Sequence, residues 1–255
     1  MSVPERAFGA GSSPDATDDL AFPRVKPRSL RIGAAYRLVR YARPLLGPTR
    51  LLRWCLDGAW LLHRLAFELS GRVFGEAFHC ASLGLTEDLL RECIPAGGTV
   101  IDVGCGSGRW CRLAARHAAR VVGIDSSPAL VAEARAATAE PNVDYVIGDV
   151  TRDLGGQRFD VALLVHVLEH VDDAEALLRA LAGVAGTLVV EVPDVEADPL
   201  NLARRALGCP FYSDADHVRE YTAPLLERHL RRGGWTPTRR DHRRGSLVVV
   251  ATRTP

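Results

Sequence analysis

Val100-Ile101-Asp102-Val103-Gly104-Cys105-Gly106-Ser107-Gly108 is the stretch whose reading decides the fold. An apolar, β-branched run ends in three glycines at alternate positions, and SGRWCRLAARHA (107–118) then reads as a helix. Glycine lets a backbone approach a ligand closely and take dihedrals that a Cβ forbids. The spacing is G-x-G-x-G, with an acid two residues before the first glycine. It differs from the G-x-G-x-x-G that sets a pyrophosphate on a helix N-terminus, and so counts against a nicotinamide-dependent oxidoreductase.

Outward from that turn, strands and helices alternate. RVVGID (120–125) reads as a second strand, and SPALVAEARAAT (127–138) as a helix with Ser127 as its N-cap and Pro128 in its first turn. VDYVIGD (143–149) is a third strand. FDVALLVHV (159–167) is a fourth, nearly continuous in apolar residues, as a strand buried on both faces should be. A helix over 172–184 leads to TLVVEVP (187–193), and a helix over 222–234 leads to the closing strands TPTRRDH (236–242) and GSLVVVATR (245–253). The pattern predicts an α/β fold with a doubly wound, mostly parallel, seven-stranded sheet whose final strand is antiparallel.

Composition narrows the function classes. The 255 residues carry 32 basic and 31 acidic side chains, a net +1, which argues against a protein that coats nucleic acid by bulk charge. Hydrophobic content of 47% with 25% charged residues is that of a globular chain, long enough for one large domain with an appendage. The six cysteines form no C-x-x-C pair, so neither a zinc ribbon nor a disulfide scaffold is expected, and reduced thiols suit a cytoplasmic protein. The first nineteen residues lack the apolar core of a secretory signal, and no uncharged run reaches the about 18 residues needed to span a bilayer.

Charge is unevenly spread. Residues 1–27 read as a disordered tail, and residues 28–84 as a basic, amphipathic helical extension in which Pro44 and Pro48 separate two helices. Arg24 to Arg64 holds ten basic residues against Asp57 alone, a net +9 that leaves −8 for the remainder. Leu51, Leu52, Trp54, Leu56, Trp60, Leu61, Leu62, Leu65 and Phe67 give this stretch a broad apolar surface at helical spacing. Two readings follow: helices that cover an active site with their arginines in water, which is preferred, or peripheral contact with an anionic inner membrane surface.

Asp125 closes the second strand 21 residues after Gly104, where a carboxylate accepts hydrogen bonds from ribose hydroxyls. Gly148-Asp149-Val150 follows the third strand, where a carboxylate can accept from an adenine amino group. With VIDVGCGSG, GIDSSP, GDV and FDVALLVHVLEHVDD in this order, the chain resembles the class I S-adenosylmethionine-dependent methyltransferases over roughly residues 85–252. That resemblance implies a Rossmann-like methyltransferase domain over 85–255, with a substrate-side insertion at about 194–221, and S-adenosylmethionine as cofactor. It places Asp102, Gly104, Gly106 and Gly108 on the methionine side, Asp125 and Ser126 at the ribose, and Asp149 and Val150 at the adenine. Two bland readings stand beside these: Gly108 only permits helix packing, and Asp149 only ends a strand. The family's frequent Pro-Gly-Gly turn before the fifth strand is Gly183-Val184-Ala185-Gly186 here, away from the expected pocket.

Methyl transfer from a sulfonium needs an aligned nucleophile and exclusion of water, and a hydroxyl acceptor also gains from a general base. His166, at the carboxyl end of the fourth strand, is the first candidate and His217 the second. His166, Glu169 and His170 share a helical face, with His217 arriving from a later loop. This resembles the E-x-x-E-H plus distant His metal site of some O-methyltransferases that act on quinone precursors or RNA 3′ ends, with His166 in place of the first glutamate. The preferred reading has no metal, Glu169 and His170 making local hydrogen bonds at the start of a helix. The resemblance puts acceptor recognition in the N-terminal helices and the insertion, where Phe211, Tyr212 and Tyr221 pack on an acceptor or serve as hydrophobic plugs. Phe78-His79 would close over the methionine end. The expected activity is O-methylation of a small molecule in specialised, glycan or lipid metabolism, with RNA methylation and a non-catalytic cofactor-binding scaffold as the alternatives.

Overall fold

A computed structural model describes residues 30–75, 78, 83–153, 156–211, 213–214 and 216–255. The chain divides into two compact units, Met1–Ser82 with Leu202–Phe211, and Leu83–Asn201 with Tyr212–Pro255. The tail over 1–27 lies outside the described residues, as do His79 and Tyr212.

The first unit contains helices α1 (Leu30–Leu46) and α2 (Pro48–Phe74). The break between them falls between the two prolines. Gly47, at φ 76°, makes the turn, and Pro48 opens α2 at a position whose N–H has no helical partner to lose. Pro44 sits inside the last turn of α1. Phe78 meets Phe67 and Phe74 with ring centroids 5.5 and 6.1 Å apart. Arg53 donates to the carbonyl of Leu207.

The second unit is built on seven strands: β1 (Thr99–Val103), β2 (Arg120–Asp125), β3 (Val143–Ile147), β4 (Phe159–Val165), β5 (Ala185–Pro193), β6 (Trp235–Arg243) and β7 (Ser246–Arg253). Their order is β3-β2-β1-β4-β5-β7-β6, with β1 to β5 parallel and β7 antiparallel to both its neighbours. The order reverses between β1 and β4, so the loops leaving those strands diverge and open a crevice at their carboxyl ends. Its helices are α3 (Glu87–Cys93), α4 (Arg109–Ala114), α5 (Pro128–Ala137), α6 (Ala174–Ala182) and α8 (Ala223–Arg232); α7 (Leu200–Leu207) crosses the boundary between the units. Four helix starts are fixed by side-chain caps: Thr86, Ser127, Asp173 and Thr222 each accept from a backbone N–H three residues on.

Strand periodicity divides the core in two. Ile101, Val122, Ile124, Ala162, Leu164, Val190 and Val249 face α6 and α8, while Val100, Val121, Val161, Leu163, Val189 and Val248 face α3, α4 and α5. The second face also takes Asp102, Gly123 and Glu191, each at an alternating position of a strand. The segment 194–221, expected to be loop-rich, contains a 3₁₀ turn over Val195–Ala197 as well as α7. Among the described residues, no helix is long and apolar enough to cross a membrane.

Gly123 shows how tightly the second face is filled. A Cβ there would stand 2.7 Å from both Cys111 Sγ and Tyr145 Cδ1. Gly123→Ala is expected to destabilise the fold by about 1–3 kcal/mol in urea unfolding; an unchanged midpoint would mean that this packing is looser than described.

Candidate active site

The glycine turn after β1 is held from β2. Asp125 Oδ2 accepts from the Gly106 backbone N–H at 3.0 Å, and Asp125 Oδ1 accepts from Ser127 at 2.8 Å. The carbonyl of Ile124 takes the N–H of Gly104 at 2.8 Å, which fastens the same turn one residue earlier. The three glycines serve different ends. Gly104 has φ 68°, and a Cβ there would come within 2.6 Å of Val167 Cγ2, in the loop after β4. At Gly108 a Cβ would lie 2.1 Å from Tyr145 Oη, so its glycine is explained by packing against β3 and α5. Gly106, at φ 51°, faces open space on the side where a Cβ would stand.

Asp102 points into the packed interior beneath this turn and is 2% exposed. Burial pushes its carboxyl up to about 7, and the charge of Asp125 adds to that, while the Cys111 thiol, donating at 3.2 Å, opposes it. Ser126 is exposed beside Asp125. Asp149 folds onto its own loop: Oδ1 accepts from the N–H and hydroxyl of Thr151 at 2.8 and 2.7 Å, which hold its carboxyl below the usual range. Val150 is buried in the core beside it.

At the end of β4, His166 adopts φ 53°, uncommon for any residue with a Cβ. Its Nδ1 lies 3.0 Å from Glu169 Oε1 and its Nε2 3.3 Å from Glu191 Oε1, and both carboxylates are fully buried. Burial alone would lower the imidazole's pKa, but the two glutamates outweigh it and raise it to about 9. His166 is therefore an imidazolium with both nitrogens committed. Glu191 is shared further, accepting from the backbone N–H groups of Gly84 at 2.6 Å and Leu85 at 2.8 Å. Burial pushes its carboxyl up, and His166 and these N–H groups bring it down below the usual value.

A second cluster lies on the other side of Glu169. One ligand atom from each of Glu169, His170 and His217 falls within 4.8 Å of the others, and the two rings meet edge to face at 4.6 Å. Each imidazole is oriented by a carboxylate: His170 Nδ1 lies 3.3 Å from Asp216 Oδ2, and His217 Nδ1 lies 2.9 Å from Glu220 Oε1. Burial works against a charged His217, yet Glu220 raises its pKa overall. Glu169 Oε2 is buried with no hydrogen-bond partner. An orphaned carboxylate oxygen beside two oriented imidazoles fits a divalent cation of the zinc or manganese kind.

The structure thus brings Asp102, Gly104, Gly106 and Asp125 to one turn, and Glu169, His170 and His217 to one cluster. His166 touches that cluster through Glu169 but is not one of its grouped residues, being held between Glu169 and Glu191. Tyr221 is a fully buried core residue packed on His229 at 5.8 Å, the plug of the two readings. Phe211 falls in the first unit. Glu191, Asp216 and Glu220 escaped the sequence reading. Glu191 had a signal, a lone acid in the otherwise apolar run TLVVEVP, which can be buried only with partners.

The methyltransferase domain family matches residues 79–239, more than half of the chain. A ubiquinone biosynthesis O-methyltransferase of Xanthomonas axonopodis is 41% identical over 154 residues, covering 55% of this chain and 63% of that protein. A trans-aconitate 2-methyltransferase of Klebsiella pneumoniae is 38% identical over 114 residues, covering 43% of this chain and 44% of that protein. The chain therefore spans less than two thirds of the length of either relative. In fold, the structure of an S-adenosylmethionine-dependent methyltransferase from Mesorhizobium loti superposes with a TM-score of 0.52 at 24% identity, over 67% of this chain and 99% of that one. With its seven-stranded sheet, its glycine turn and the domain match over residues 79–239, the chain belongs to the methyltransferase domain family.

Proposed function

We propose that this protein transfers the methyl group of S-adenosylmethionine to an oxygen of a small-molecule acceptor. One observation carries the reading: the glycine turn clasped by Asp125 touches, through Gly104 and Val167, the loop that bears Glu169 and His170. A nucleotide-type turn and an acid–base cluster are thereby neighbours in one unit. The O-methyltransferase relatives support an oxygen acceptor, one of them naming a carboxylic acid, trans-aconitate.

The cofactor's residues fit the turn. Gly106 leaves space that a Cβ would fill, and the Asp125 oxygens, each holding one backbone N–H, retain lone pairs for ribose hydroxyls. Ser126 stands exposed next to them. The Asp149 carboxylate is committed to Thr151, its N–H to Asp153 and its carbonyl to Arg152 and Asp153, so we assign adenine recognition to Val150, through its backbone and its side-chain wall. S-adenosylmethionine supplies an already activated methyl on a sulfonium. The chain's residues have to orient the acceptor, exclude water and take up its proton. His170, oriented by Asp216 and partly exposed, is the better-placed proton acceptor. His166, held protonated, is a positioning residue that fixes Glu169 and, through Glu191, the segment at Gly84. Were a divalent ion held by Glu169, His170 and His217, that ion rather than His170 would activate the acceptor, by lowering the pKa of its hydroxyl.

Release of S-adenosylhomocysteine over panels of small phenols, small tricarboxylates including trans-aconitate, and RNA tests the reading. Turnover on a small oxygen acceptor is expected; turnover on RNA alone, or on none of the panels, would contradict it. Affinity for S-adenosylmethionine, measured by calorimetry, should depend on Asp102. Its carboxyl ionises near pH 7, and a cationic ligand favours the ionised form. Binding is then expected to weaken by up to about tenfold per pH unit below 7 and to level off above it. Asp102→Asn should flatten this dependence, and a wild-type affinity independent of pH would refute the role.

For the cation, the measurement is metal content and melting temperature of protein prepared without a polyhistidine tag. About one divalent ion per chain, lost in Glu169→Gln and accompanied by a lower Tm after chelation, would assign acceptor activation to the ion rather than to His170. Metal-free protein with an unaltered Tm and full turnover would leave that activation to His170 and return Glu169 to a purely structural role.

A further inference from the structure

Helices α1 and α2 expose far more apolar surface than their own packing needs. Only Leu56 is buried along the 27 residues of α2. Leu62, Leu65, Leu69 and Val73 stand at i, i+3, i+7 and i+11 and so share one face, each between 47% and 68% exposed. On α1, Tyr36, Val39, Arg40 and Arg43 also share a face, at i, i+3, i+4 and i+7. With Pro44 and Pro48 they line an open groove of about 650 Å³. Over residues 33–75 the helices carry seven arginines against Asp57 and Glu68, a net +5.

We propose that this helical pair docks the protein on the surface of an anionic phospholipid bilayer. The apolar row of α2 would enter the acyl boundary, and Arg40 and Arg43 would meet lipid phosphates beside the Tyr36 ring. Charge selects this occupant. A second copy would set one +5 helical pair against another, whereas a membrane with anionic headgroups complements it. Nucleic acid supplies the phosphates but offers nothing apolar to bury Leu62, Leu65, Leu69 and Val73. At about 1.5 Å per residue α2 is roughly 40 Å long, yet its arginines prevent it from crossing, so it lies in the plane of the interface. Trp54, 61% exposed, suits the headgroup level, where an indole keeps its ring in the apolar zone and its N–H in the wet one. The inference is independent of the acceptor and of the methyl-transfer chemistry.

Vesicle flotation of the full chain tests it, with phosphatidylcholine vesicles compared with vesicles that also contain phosphatidylglycerol. Co-flotation with the anionic vesicles only, reduced at high salt and accompanied by a blue shift of tryptophan emission, is the expected result. Arg40→Glu with Arg43→Glu should weaken binding about thirtyfold or more. Leu62→Glu with Leu65→Glu should weaken it comparably, and because these side chains are exposed both double variants should keep the wild-type Tm. No flotation with either vesicle, equal flotation with both, or variants that float like wild type would each overturn the proposal. So would sedimentation equilibrium showing a dimer that the leucine variants dissociate, in protein that binds no vesicle.

Discussion

The carboxylate of Asp125 joins three pieces of backbone that the rest of the site depends on. It ends β2, accepts from Gly106 in the turn after β1, and accepts from Ser127 at the start of α5. Backbone N–H groups at a loop must be paired if the loop is to hold one shape. Without this carboxylate the glycine turn, left-handed at Gly104, Gly106 and Gly108, would have no side-chain anchor from its neighbouring strand. Each of its oxygens accepts one backbone N–H and keeps a further lone pair, which the proposed function gives to the ribose hydroxyls.

Around that anchor, acids are buried on the second face of the sheet and at the carboxyl ends of its strands. Asp102, Glu169 and Glu191 are each no more than 2% exposed. Burying a carboxylate is costly unless hydrogen bonds or a cation offset it. Glu191 is offset by two backbone N–H groups and the His166 imidazolium, and Glu169 by the same imidazolium on one oxygen only. Asp102 has a thiol alone, and burial raises its pKa to about 7. The two acids with incomplete partners, Asp102 and Glu169, are the two that the functional reading assigns to a cationic ligand.

Much of this was legible in the sequence because local chemistry dictates it. RVVGID was legible as β2 to the residue from its short β-branched run, and Ser127 with Pro128 marked the start of α5. What could not be read came from partners distant along the chain. The helix expected over 107–118 stops at Ala114, since Asn142 donates to the carbonyls of Ala115 and Ala118 and Ala119 pairs with Gly98, turning the chain into β2. The sequence placed His166 at the end of β4 as a candidate general base, but the Glu191 opposite it, 25 residues on, could not be read. Spacing put His166, Glu169 and His170 on one face with His217 arriving from a later loop; the fold brings Glu169, His170 and His217 together and leaves His166 outside that group.

The central claim is that the turn clasped by Asp125 binds S-adenosylmethionine. Calorimetric titration of the full chain with S-adenosylmethionine and with NADH tests it most directly, repeated on Asp125→Ala. The account predicts saturable one-site binding of S-adenosylmethionine that Asp125→Ala weakens by tenfold or more, the value of one to two charge-assisted hydrogen bonds, and no binding of NADH. Tight NADH binding, or S-adenosylmethionine affinity unaltered by the substitution, would contradict it.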